Sequence, residues 1–302
     1  MVGDELALSK IGIITFHSAY NYGSVLQAFA TQTFIKKLGS ENEIINYRLD
    51  EQRRVYSNLR FNYGYKEFIK DLSLLPIYGR RNIRKEKFET FLFENIDASD
   101  ICRTPEDVRK IWDKYPTIIS GSDQIWNKHS LELEHIDWNF MDPYLLKGYH
   151  GKKISYASSI ANMNDWEIKR ILPEINDFAL LSMREETSAK KVSNYLKRNV
   201  ISVLDPTFLL TKEEWIQTLH LNRDNKKFIL FYSLHGITKF NKIKNTLIEL
   251  SKARNCKILT ITPFCYIKKS KYFEPHPEFG PHEFIESVYN SNTVITDSFH
   301  GT

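Results

Sequence analysis

Cysteine, long apolar runs and strong charge of either sign are all scarce in this chain of 302 residues. No stretch approaches the roughly 18 consecutive apolar residues of a membrane helix. The N-terminus, M-V-G-D-E-L-A-L-S-K-I-G-I-I-T-F, carries acids early and only a short strand-like apolar run, so it makes a poor signal peptide. Three cysteines, Cys102, Cys256 and Cys265, are too few and too scattered for a disulfide framework or a zinc pattern. A reducing, cytoplasmic compartment is the expectation. The patterns G-x-G-x-x-G, G-x-x-x-x-G-K-[ST] and G-x-S-x-G are missing, which speaks against a dinucleotide fingerprint, a phosphate loop and a nucleophile elbow. The histidines show no ligand spacing beside a carboxylate, so no metal site is expected.

What remains is an ordinary globular composition, 42% hydrophobic and 26% charged, with a mild net charge of +5. That excess suits an anionic substrate or a membrane surface and is too small to demand nucleic acid. Short Ile/Val/Leu runs without strict alternation predict strands over 11–15, 43–47, 117–120, 153–157, 179–183, 200–204, 228–232, 257–260 and 293–296. Such runs are how strands read when a parallel sheet is covered on both faces. Helical patterns fall over 24–38, 65–72, 81–93, 105–114, 165–178, 185–196, 212–219, 239–253 and 282–291, the first with one apolar stripe. The rhythm is α/β. Pro206 breaks it, so two α/β units are expected, 1–205 and 206–302. The chain stops just after a strand, where a crossover helix would follow. The second domain is therefore expected to be truncated at its C-terminus.

Four strand ends carry candidate chemistry. In an open α/β sheet, ligands bind at the carboxyl ends of strands, and a helix N-terminus offers N–H groups to anions. After the first strand come Asn21, Gly23 and Ser24. Gly23 permits close backbone approach, and Asn21 or Ser24 can cap the helix. An ordinary capped turn would look the same. After 117–120 come Gly121, Ser122 and Asp123, two sources of donors and a fixed acceptor or base; an Asx-turn is the bland alternative. Arg184 ends a strand, where its guanidinium could take an anion bidentately or pair with Glu185 or Glu186. The fourth cluster is Asp297, Ser298 and His300, in which the histidine is suited to proton transfer and Asp297 could orient its ring.

Six collinear segments resemble the polysaccharide pyruvyl transferase family: N-Y-G-S-V-L-Q-A (21–28), S-G-S-D-Q-I-W-N (120–127), I-S-Y-A-S-S (154–159), R-E-E (184–186), V-L-D-P-T-F-L-L (203–210) and T-D-S-F-H-G-T (296–302). The resemblance implies two Rossmann-like domains facing a cleft, as in GT-B glycosyltransferases. It implies transfer of a pyruvyl group from phosphoenolpyruvate to two hydroxyls of a cell-surface polysaccharide sugar or its lipid-linked precursor, with no cofactor. On that reading His300 and Asp123 are the catalytic candidates. Asn21, Gly23, Ser24, Gly121, Ser122, Arg184 and the position of Ser298 bind the donor. One departure is Ser298, where several members of the family carry an arginine.

Two other readings stand beside it: a GT-B glycosyltransferase using a sugar nucleotide, and a catalytically inactive, truncated binding module. Finally, 53–87 holds ten Lys/Arg against three acids, with aromatics interleaved. This pattern suits docking on an anionic membrane at the inner face of the cell, or a solvated helix face with its aromatics in the core. No nucleic-acid reader motif accompanies the charge.

Overall fold

The computed structural model describes residues 10–56, 69, 71–234 and 236–301. In chain order the elements are β1 (Ile11–Ile14), α1 (Tyr22–Lys37), β2 (Asn42–Ile44), α2 (Asp50–Val55), α3 (Tyr78–Asn95), α4 (Pro105–Ile111), β3 (Thr117–Asp123), β4 (Lys152–Ser158), α5 (Asp165–Asn176), β5 (Ser182–Met183), α6 (Glu186–Leu196) and β6 (Ile201–Ser202). There follow α7 (Lys212–Leu219), β7 (Phe228–Tyr232), α8 (Ile237–Arg254), β8 (Lys257–Ile261), β9 (Phe273–Pro275), α9 (Pro281–Asn290) and β10 (Thr293–Thr296). They form two compact units, one taking the chain to Tyr56 and again from Asn95 to Leu210, the other taking the chain up to Glu94 and from Thr211 onwards.

The first unit holds six parallel strands in the order β2-β1-β3-β4-β5-β6. Ile13, Ile14 and Ile118 are fully buried, as continuous branched runs should be in a sheet covered on both sides. The order reverses between β1 and β3, so this is the topological switch point, where the loops after the two strands leave in different directions. The second unit holds four parallel strands in the order β10-β7-β8-β9, with its own reversal between β10 and β7.

Every strand expected from the sequence forms, in places shorter. β9 was not expected, because Phe273–Pro275 is too brief to show a pattern; it joins by pairing Phe273 with Ile258 on β8. α2 was also unexpected. The helix expected over 105–114 is α-helical only to Ile111 and ends as a 3-10 turn, Trp112–Lys114. Most of the helix expected over 65–72 lies outside the described residues. α1 differs from its expected single stripe: Tyr22 through Gln32 are all buried. It packs on β2 and β3 and also under the Pro206–Phe208 turn, so no side of its first turns meets water.

The division between units also differs from the expected single cut at 205/206. The structure divides at Leu210, which keeps Asp205 in the first unit, and it sends α3 to the second. The reason is α3's partners. Arg80 pairs with Glu278 at 2.6 Å and donates to the Pro275 carbonyl at 2.7 Å. Lys87 pairs with Glu283.

Candidate functional site

At the β1/β3 switch point, a small set of buried side chains locks two strand ends together. Gln27, on the second turn of α1, donates to the Thr15 hydroxyl at 2.8 Å, the Phe16 carbonyl at 2.9 Å and the Ser24 carbonyl at 2.9 Å. The Thr15 hydroxyl donates across to the Ser122 carbonyl at 3.0 Å. Asn21 caps α1, its side-chain oxygen accepting the Gly23 N–H at 3.0 Å. Gly121 is needed for space: a Cβ there would stand 1.9 Å from the Tyr156 carbonyl oxygen on β4.

Asp123 ends β3 in the left-handed region, with φ of 72°. A non-glycine residue there is uncommon, and such residues cluster at functional sites. Its Oδ2 accepts the Ser24 hydroxyl at 2.7 Å, and its Oδ1 accepts the Gln124 N–H at 2.8 Å. Arg184, whose side chain is only 4% exposed, reaches Asp123 at 3.6 Å, Asp205 at 3.4 Å and Glu185 at 3.1 Å. Burial works against the Arg184 cation, but these three carboxylates hold it above its ordinary range. Ser122 donates its hydroxyl to the Ala157 carbonyl at 3.0 Å and lies 3.5 Å from Asp205. Asn21, Gly23, Ser24, Gly121, Ser122, Asp123 and Arg184 therefore meet at one end of one sheet.

Three members of this neighbourhood were missed from the sequence. Asp205 looked like part of a domain boundary, yet it is buried and ties Arg184 to Ser122 while capping the 206–208 turn through the Thr207 N–H at 3.0 Å. Its D-P-T context is a turn signal that could have flagged it. Gln27 sat within the matched 21–28 segment but was not singled out. Glu132 lies in a loop with no motif; it is buried and accepts the Tyr56 hydroxyl at 2.8 Å. His17, in the loop after β1, is 1% exposed, with its ring nitrogens 3.1 Å from the Thr15 carbonyl and 3.0 Å from the Asn46 side-chain oxygen.

In the second unit the β10/β7 switch point carries a matching tie. Asp297 accepts the Ser233 hydroxyl at 2.8 Å and the Leu234 N–H at 3.2 Å. Ser298 is buried and donates its backbone N–H to the Thr296 hydroxyl at 3.0 Å. His300 lies in the Phe299–Gly301 turn, half-buried, its ring edge-on to Phe299 with centroids 5.4 Å apart. A cavity of about 850 Å³ in this unit opens among Lys227, Phe228, Lys257 and His276. It lies at the amino-terminal ends of β7 and β8, opposite to the end where His300 stands. Among the described residues, no group of three or more His, Cys, Asp or Glu is arranged to hold a metal ion.

The described basic residues of 78–87 do not form a solvated face. Arg81 and Arg84 are buried, the latter 4.7 Å from the Phe88 ring centroid. Arg80 and Lys87 are paired with Glu278 and Glu283. Much of 53–70 lies outside the described residues. Among the described residues, no helix is long and apolar enough to cross a membrane.

Several solved structures resemble the chain, these three among them. One is the UDP-N-acetylglucosamine 2-epimerase from Rickettsia bellii: 11% identity, TM-score 0.41, 96% of this chain and 74% of that one. The second is described as a UDP-N-acetylglucosamine 2-epimerase from Listeria monocytogenes: 10% identity, TM-score 0.48, 98% of this chain and 76% of that one. The third is the E. coli heptosyltransferase WaaC with ADP-2-deoxy-2-fluoro heptose: 13% identity, TM-score 0.41, 97% of this chain and 85% of that one. No protein of curated function matches the chain. The model of the polysaccharide pyruvyl transferases matches residues 21–302, a span that contains the Asn21 cap, the Asp123 cluster, Asp205 and His300, and the chain belongs to that family.

Proposed function

We propose that the protein transfers a pyruvyl group from phosphoenolpyruvate to two hydroxyls of one sugar, releasing phosphate and leaving a cyclic ketal. The observation that carries this reading is the family match over 21–302, together with the gathering of the motif residues at the β1/β3 switch point. In the reaction, the donor methylene takes a proton and becomes a methyl group. One sugar hydroxyl adds at C2, losing its proton. The second hydroxyl then displaces phosphate and loses its own. A group that both gives and takes protons near neutrality serves these steps, and His300, half-buried at a strand's carboxyl end, is suited to it. Asp123, fixed by Ser24 and Arg184, is the second proton acceptor in this reading.

The donor is a small dense anion. The first turn of α1, behind the Asn21 cap, offers N–H groups and the positive end of a helix dipole. Ser24, Ser122 and Ser298 add hydroxyls. Arg184 could grip the anion only by giving up a carboxylate, so in this reading it holds Asp123 and Asp205 in place. A glycan acceptor, lipid-linked or free, takes the remaining contacts. The reaction calls for no redox cofactor. A cytoplasmic location agrees with a phosphoenolpyruvate donor. Contact with an anionic membrane through 53–87 would fall to residues other than Arg80, Arg81, Arg84 and Lys87, which are committed inside the second unit.

Two measurements test the proposal. Thermal shift with phosphoenolpyruvate and with a uridine sugar nucleotide should show stabilisation by the first, about 2.7 kcal/mol at a hundredfold excess over Kd, and none by the second. Incubation with phosphoenolpyruvate and candidate glycans should yield phosphate and a glycan heavier by pyruvate less water. Stabilisation by the nucleotide alone would replace this reading with a glycosyltransferase. Stabilisation by neither would favour a binding module.

A further inference from the structure

Glu132 is a buried carboxyl that the reaction above does not use. It is 7% exposed, between Leu131 and Leu133, and far in sequence from what it touches. Its Oε1 accepts the hydroxyl of Tyr56, 76 residues away. Tyr56 follows α2, is buried, and also shares a hydrogen bond with the Asn21 side chain. Asn21 in turn caps α1 through the Gly23 N–H. A continuous polar tie therefore runs from Glu132 through Tyr56 to the amino end of α1.

The charged and titratable groups around Glu132 come from several elements. Tyr56 follows α2. Asp123 ends β3, and its charge is felt at Glu132. Tyr144, whose hydroxyl accepts from Gln52 at 3.1 Å, feels both carboxyls. Arg184 is 3.6 Å from Asp123 and is shared with Asp205 and Glu185. Lys128, on Glu132's own loop, is turned to the carbonyls of Leu133 and Glu134. A carboxylate at Glu132 would thus add negative charge to a desolvated place already holding Asp123, whereas a neutral carboxyl there keeps its bond to Tyr56 without that penalty.

We propose that Glu132 is a positioning residue of the donor site: through Tyr56 and Asn21 it holds the amino end of α1, and its charge, when present, opposes an anion bound there. This rests on the reading that the β1/β3 end receives an anionic donor. The direction of titration agrees. Burial and the Asp123 charge push the Glu132 carboxyl up to about 7 from its ordinary 4.5, against hydrogen bonds from Tyr56 and the backbone. Because the folded value lies above the unfolded one, the stability Glu132 contributes is full below about 4.5 and is lost as pH rises through about 7.

The test uses the full chain, with Glu132→Gln and Tyr56→Phe. Gln keeps an acceptor for Tyr56 but cannot titrate. Phe removes a bond that lowers the carboxyl, so it should shift titration upward. Thermal unfolding is followed between about pH 5 and about pH 9, and sulfate, which does not titrate in that window, is the anion probe. The expected result is a loss of stability with rising pH in the parent, a flatter profile in Glu132→Gln and a profile displaced to higher pH in Tyr56→Phe. Sulfate affinity should weaken about fivefold or more across the same window in the parent and hold steady in Glu132→Gln. Identical stability profiles in parent and Glu132→Gln overturn the proposal. So does a sulfate affinity that weakens equally in both. Sulfate binding to neither protein defeats the donor-site reading, and the positioning role with it, while the stability profiles still report whether Glu132 titrates. If Glu132→Gln fails to fold, the displacement in Tyr56→Phe decides; its absence overturns the proposal.

Discussion

The two units solve one problem with the same device under different solvation. Each has a parallel sheet whose order reverses once, and at each reversal a strand-end aspartate is tied across the gap by a serine hydroxyl. In the first unit the pair is Asp123 and Ser24 at 2.7 Å; in the second it is Asp297 and Ser233 at 2.8 Å. Asp123 is buried and faces a buried arginine that two other carboxylates share. Asp297 is exposed, and β10 before it is only half-buried along its length. Charge in the first place is poorly screened and must be balanced by geometry. Charge in the second is more exposed to water and better screened. In the proposed function the first, drier end receives the anionic donor and the second, wetter end carries the histidine that moves protons.

The largest expected effect follows from the dry end. Arg184→Ala would leave Asp123, Asp205 and Glu185 without the cation they share. Breaking a buried ionic set by removing one partner costs about 3–5 kcal/mol, so a clear fall in Tm is expected. Asp297→Asn, at the wetter end, should change Tm little. Equal losses at the two sites would erase the contrast. Next comes His300→Gln, which should lower turnover by about 10²-fold, or roughly 2.7 kcal/mol on the barrier, with donor binding and Tm nearly unchanged. Turnover near that of the parent would remove His300 from the proposed chemistry.

The strands and the polar loops at both switch points were legible in the sequence, for a physical reason. Strands buried on both faces read as Ile/Val/Leu runs, and the polar loops that follow them at a switch point hold residues in short local spellings. That is why 21–24, 121–123 and 298–300 stood out. What stayed hidden depends on contacts between distant positions. Lys87 and Glu283 are 196 residues apart, so nothing local in α3 says that it belongs to the second unit. Arg80 and Lys87 looked like part of a free basic patch because their partners, Glu278 and Glu283, come from the other end of the chain. Asp205 was hidden differently: its proline neighbour is a strong boundary signal, and the same turn that breaks the strand aims its carboxylate at Arg184.

A smaller effect sharpens the comparison between the two serines. Ser24→Ala removes the hydroxyl from a buried carboxylate oxygen and should cost about 1–3 kcal/mol. Ser233→Ala removes the same bond where Asp297 can turn to water, and should cost roughly 0.5–1.5 kcal/mol. Chemical unfolding of both variants at one pH measures the difference directly. If Ser233→Ala were the more costly, the second switch point would be the more rigid of the two.

The smallest effect concerns how the second unit holds α3. Arg80 and Glu278 are paired at 2.6 Å with side chains 39% and 18% exposed, and Lys87 meets Glu283 with 35% and 28% exposed. Water screens both pairs, so Arg80→Ala and Lys87→Ala should each cost only about 0.2–1 kcal/mol near neutral pH. The pH dependence gives the sharper signature. Burial pushes the Glu278 carboxyl up, but hydrogen bonds from His276 and Arg80 outweigh it and bring it down to about 2. A carboxyl lowered on folding contributes stability above its unfolded value near 4.5, and that contribution is lost as pH falls toward about 2. The deficit of Arg80→Ala should therefore shrink on acidification, whereas a packing loss would persist. The same variants bear on membranes. If Arg80 and Lys87 act only within the second unit, replacing them should leave co-sedimentation with anionic vesicles unchanged at low and at high salt. A drop confined to anionic vesicles at low salt would mean that these side chains also face a membrane.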